Sequence, residues 1–186
     1  MVEKGWNVNA VIHSVGLVDC DIVDNIFETL NYYNNRKLFF KGSFVTPIDS
    51  DDANVSKKKL REALSEVDIY VCVFGVHGGE YDTAIDGYRF SESRNMPRLV
   101  LAQSKFASYE GDASAFLSSV QSGSSVNSFV DYFRTAGGAA AKFRKYFPPL
   151  VERVVREAEG VEEAIRNGLL DSSAVGKSKN RIEHLF

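Results

Sequence analysis

Apolar residues fall along the first hundred positions in short runs separated by helical stripes. Ala10-Val11-Ile12 reads as a buried strand running into a loop, His13-Ser14-Val15-Gly16, because the run gives way to polar residues and a glycine. Asp21 is placed to cap a helix in which Ile22, Val23, Ile26, Phe27 and Leu30 share one face of a 3.6-residue period, ending near Asn34-Asn35. Leu38 to Val45 is the second strand of the reading, stopped by Pro47, and Asp49 to Asn54 is a polar loop. Leu60, Ala63, Leu64 and Val67 form the next helical stripe, with Lys57 to Lys59 expected in its first turn, where they oppose the helix dipole.

Ile69 to Phe74 is apolar at every position, as a strand covered on both faces must be. Gly75-Val76-His77-Gly78-Gly79 then forms the loop at its carboxyl end. Asp86 to Arg94 reads as helix and Pro97 to Ala102 as strand. The order β-α-β-α-β-α-β predicts right-handed crossovers and a doubly wound parallel sheet of four to five strands with helices on both faces.

Beyond Gln103 the pattern predicts a helical extension over 110–168. It holds a short helix at Ala113 to Val120, an edge strand or packed turn at Val126 to Phe133, and a helix capped by Thr135. Pro148-Pro149 is expected to break that last helix before Leu150, Val151, Val154, Val155 and Ala158 resume an apolar face. Residues 1–168 are read as one domain with its core in 8–103, and 169–186 as a flexible tail of small and polar residues.

Composition narrows the function classes. At 186 residues and 44% hydrophobic the chain has enough apolar side chains for one sizeable core. A net charge of -3 with no basic stripe argues against nucleic acid as a partner. No stretch nears the roughly 20 apolar residues that cross a bilayer, and the two cysteines, Cys20 and Cys72, make no disulfide framework, so a cytoplasmic protein is expected. No metal is expected either: His13, His77 and His184 lack ligand spacing, and Asp49, Asp51 and Asp52 read as a solvated turn. Gly176-Lys177-Ser178 has no glycine five residues before Gly176 and no strand ahead of it, so it is not a phosphate loop, and no Gly-x-Gly-x-x-Gly follows the first strand.

In an open α/β sheet ligands bind outside the carboxyl ends of the strands. The sequence puts Ser14, Gly16 and Asp19 after the first strand, and Gly75, His77, Gly78, Gly79 and Glu80 after the third. Glycines there let backbone amides approach a phosphate or ribose, and a nearby carboxylate holds ribose hydroxyls or stabilises an oxocarbenium-like transition state. The plainer alternative is that the glycines only make a tight turn.

The segment from Asp68 through Gly75, His77-Gly78-Gly79, and Thr83 to Pro97 before a strand resembles the TIR-like superfamily. Within it the segment is most similar to the TIR-related domain fused ahead of STAND-type signalling NTPases. Ser14 to Asp19 resembles that domain's Ser-Ser-x-x-x-Asp segment, and the likeness covers roughly residues 8–103. It implies a flavodoxin-like or TIR-like fold and an ability to bind NAD or a related nucleotide or to cleave its N-glycosidic bond, with no further cofactor required. It also implies assembly as a homo-oligomer or with a fused or associated effector, as in prokaryotic defence signalling.

The family's helix-start glutamate falls on Asp86, which is one methylene shorter, and a displacement of about 1 Å at a catalytic carboxylate costs about 100-fold in rate. Glu80 is the second catalytic candidate, and Asp86 also suits the cap of a helix that it opens. His77 or its neighbour stands where the family carries an arginine. Two other readings accompany the first: a non-catalytic interaction module, presenting aromatics such as Tyr32, Tyr33, Phe39, Phe40, Tyr132 and Phe133, and a nucleoside deoxyribosyltransferase-like enzyme with a carboxylate nucleophile.

Overall fold

The computed structural model describes residues 8–16, 20–35, 53–75, 81–104, 109, 112–122 and 127–168. Their elements run β1 (Ala10–Val15), α1 (Cys20–Asn35), α2 (Ala53–Ser65), β2 (Ile69–Phe74), α3 (Tyr81–Ser93), β3 (Arg98–Gln103), α4 (Asp112–Ser122), β4 (Ser128–Phe133) and α5 (Ala136–Arg166). The four strands form one all-parallel sheet in the order β1-β2-β3-β4. The expected strand at 38–45 and the tail at 169–186 lie outside the described residues.

Period-two alternation along the strands sends side chains to two separate cores. Ala10 and Ile12, Val71 and Val73, and Leu99 and Leu101 pack with Ile22, Ile26 and Leu30 of α1 and with Phe143, Phe147, Leu150 and Val154 of α5. Val11 and Val15, Tyr70, Cys72 and Phe74, and Val100 and Ala102 pack with Leu60 and Leu64 of α2, Ala84 and Tyr88 of α3, and Phe116 and Leu117 of α4. Helices thus cover both faces, and α1 and α2, which both precede β2, lie on opposite ones, as doubly wound chains require. No helix among the described residues is long and apolar enough to cross a membrane.

Several boundaries differ from the expectation. β1 continues through Val15, so His13 and Ser14 are strand residues. Asp21 sits in the first turn of α1, which opens at Cys20. α2 opens at Ala53, which puts Lys57 to Lys59 past its first turn and removes the conflict with the dipole. α3 opens at Tyr81, five residues before Asp86, so Asp86 does not cap it. Val126 to Phe133 reads as an edge strand or a packed turn, and Ser128–Phe133 is a strand, β4, that among the described residues pairs on one side only.

The proline pair lies inside α5, and the helix passes through it unbroken. Prolines 148 and 149 leave the carbonyls of Arg144 and Lys145 without their helical donors, but both of those residues are exposed, so solvent serves them. Phe143 and Phe147 before the prolines and Leu150 and Val154 after them belong to one core, and each such burial contributes roughly 1.5–3 kcal/mol. Packing on both sides outweighs the local break. Thr135 does cap α5 as expected, its hydroxyl oxygen accepting from the Gly138 amide at 3.1 Å.

Candidate functional site at the carboxyl edge of the sheet

Because all four strands are parallel, their carboxyl ends meet at one edge. β1 and β2 are joined there by the Gly75 amide, which donates to the Val15 carbonyl at 2.7 Å. Gly16 follows in the left-handed region, φ +79°, a conformation that a side chain would strain. Sequence reasoning missed what closes the rest of this edge. The Tyr81 hydroxyl donates to the Gly75 carbonyl at 3.0 Å, and the Tyr109 hydroxyl reaches the carbonyls of Gln103 and Phe74 at 2.7 and 3.3 Å. These tyrosines satisfy acceptors that a strand end leaves without ladder partners.

Their rings pack as well. Tyr81 stacks on Phe74 at 5.9 Å between centroids, and Tyr109 stands edge-on to both. Burial, followed by the neighbouring Tyr81 and Tyr132, raises the Tyr109 pKa, so the hydroxyl stays a donor. The available signal was an aromatic residue with a polar tip beside each strand-end loop.

The predicted site residues divide into three groups. Ser14 is half-buried on β1, and with Gly16 and Gly75 it belongs to the edge formed by β1 and β2. Asp19, His77, Gly78, Gly79 and Glu80 lie outside the described residues. Asp86 is engaged elsewhere: Arg61 of α2 grips its carboxylate in a two-pronged bond, Nε to Oδ2 at 2.7 Å and Nη2 to Oδ1. The same guanidinium lies 5.9 Å from the Phe90 ring centroid. Asp86 lines a groove of about 760 Å³ with Asp82, Arg89 and Glu92 of α3, Lys57 of α2 and Asp112 of α4. Glu92 bonds Arg98, the first residue of β3, and so belongs with the amino ends of the strands.

Under α3 lies a polar cluster. The His13 Nδ1 is 3.0 Å from the Tyr70 hydroxyl, and Tyr70 also bonds Cys72. Burial lowers the His13 pKa to about 4, pushes Cys72 up to about 12, and raises Tyr70 well above its usual value, with Cys72 and Asp86 adding to the shift. All three are therefore neutral near pH 7. A thiol so raised is no nucleophile, and the cluster is sealed: Gly87 of α3 passes so close that a Cβ there would sit 2.6 Å from Leu60 Cδ2 and 3.0 Å from the Tyr70 hydroxyl. Among the described residues no three His, Cys, Asp or Glu side chains gather to hold a metal ion. No protein-family model, curated protein or solved structure matches the chain.

Proposed function

We propose that the chain is a TIR-like nucleotide-binding domain that takes NAD or a related nucleotide at the carboxyl edge of the sheet and does not cleave it through Asp86. The observation that carries this reading is the junction of β1 and β2, where left-handed Gly16 and its neighbour Gly75 bring backbone without side chains to the place where parallel sheets accept phosphates and riboses. The Arg61 fork supports the second half: a carboxylate with both oxygens engaged is poorly placed to stabilise a developing ribosyl cation. On this reading the protein works in the cytoplasm, as a homo-oligomer or beside an effector.

The test is a calorimetric titration of the purified protein with NAD, with nicotinamide release followed in parallel on wild type and Asp86→Ala. Saturable binding without release, unchanged in the variant, is the expected result. Failure of the folded protein to bind would overturn the reading, and release that disappears in Asp86→Ala would overturn its non-catalytic half.

A further inference from the structure

Gln103, the last residue of β3, is half-buried, yet its side-chain oxygen is shut from solvent and accepts no hydrogen bond from the described residues. Such an orphaned acceptor carries a desolvation cost that no hydrogen bond from the described residues offsets. Among the described residues two other buried polar side-chain atoms lack partners, Arg98 Nε and Asn127 Oδ1, but both lie near the amino ends of the strands, on side chains otherwise bonded to Met96, Glu92 and Asn95. The Gln103 acceptor stands apart from them, at the carboxyl edge.

Its place in the sheet gives it a use. Val15 pairs with Phe74 and Phe74 with Ala102, so the next row contains Gly16, Gly75 and Gln103: two positions without side chains beside a carboxamide. Gln103 alternates with Leu99 and Leu101, and Ser14 with Ala10 and Ile12, which puts both polar side chains on the face that α1 and α5 cover. β1 and β3 are two strand spacings, about 10 Å, apart, with only Val73 and Gly75 of β2 between them at this level. A planar ring laid against Gly75 would meet the carboxamide with its edge.

We infer that Gln103 is a specificity-determining residue that reads the amino-bearing edge of the base, adenine in the case of NAD. This rests on the nucleotide-binding reading. The carboxamide oxygen accepts from the 6-amino N–H while the carboxamide N–H donates to ring nitrogen N7, the two-point match by which glutamine distinguishes adenine. Hypoxanthine, with an oxygen in place of the amine, presents acceptors at both points.

The test titrates the full chain with NAD and with nicotinamide hypoxanthine dinucleotide, which differs only in that exchange, and repeats both with Gln103→Leu. Wild type is expected to bind NAD roughly 5- to 150-fold more tightly. The variant should bind both ligands at the weaker affinity, and its ligand-free melting temperature should not fall, because an unpaired acceptor has been removed. Equal affinities in wild type, a measurement that needs no variant, would overturn the role of Gln103 and leave nucleotide binding standing, as would a preference that survives in Gln103→Leu. Failure of folded wild type to bind either dinucleotide would overturn the binding reading and this inference together.

Discussion

The two faces of the sheet are built from the same strands and packed by different rules. The core under α1 and α5 is aliphatic and phenylalanine-lined, from Ala10 and Ile12 to Phe143 and Phe147, with polar Ser14 and Gln103 entering that face at the carboxyl edge. The face under α2, α3 and α4 buries His13, Tyr70, Cys72 and Tyr88 as well, with the Tyr88 hydroxyl 3.0 Å from the Ser128 hydroxyl. An apolar core tolerates exchange of side chains of similar volume, whereas a buried network loses its partners as soon as one member changes. The second face therefore specifies its arrangement more narrowly, and it is also the face where α3 is drawn tight against the strands at Gly87.

The largest effect should come from the apolar face. Phe143 is fully buried, and Phe143→Ala is expected to cost about 3–5 kcal/mol in a denaturant melt. A loss below 1 kcal/mol would mean that α5 is not held by this core.

Acid should act through the other face. Burial keeps His13 neutral, with a folded pKa of about 4 against 6.5 for a histidine in water. The unfolded chain thus takes up this proton first as pH falls, so the contribution is complete above about 6.5 and is lost toward about 4, roughly 3 kcal/mol in all. Denaturant midpoints measured across that window should fall in wild type and fall less in His13→Gln. Equal slopes would remove the histidine from the account.

Gly87→Ala, which drives a methyl group toward Leu60 and Tyr70, is expected to cost about 1–3 kcal/mol, and thermal melts at neutral pH would show it. The smallest effect belongs outside both cores. Arg61 is half exposed in its pair with Asp86, so Arg61→Gln should leave the melting temperature where it was. A clear drop would make that pair part of the second core.

How much of this was legible follows from how local each cause is. Ile69 to Phe74 announced a central strand because every position is apolar, and the Ile22, Ile26, Leu30 stripe announced α1. The start of α3 was hidden because Tyr81-Asp82-Thr83 follows a glycine-rich segment and Gly87 interrupts the pattern. Pro148-Pro149 misled because the forces that carry α5 through them come from the sheet and α1.

For the site, β1 runs three residues past its expected end, up to Gly16, whereas Gly75 could be placed at a strand end from the unbroken apolar run Ile69 to Phe74. The Asp86 pair could not, since Arg61 lies 25 positions away, nor could the bond from Tyr109 to Phe74, 35 positions away. Gln103 is polar where a strand ends, which is ordinary in a sequence; only its missing partner sets it apart.

The length of α5 separates its two ends by more than the depth of the sheet. The helix begins two residues after β4, beside the carboxyl edge, and its 31 residues extend about 46 Å, against about 20 Å for a six-residue strand. Running back along the sheet, it outdistances the strands, and none of residues 159–166 is buried. The backbone thus departs from α5 at the pole opposite the proposed nucleotide. A ligand at the carboxyl edge and any surface that uses the last turns of α5 would therefore sit at opposite ends of the sheet.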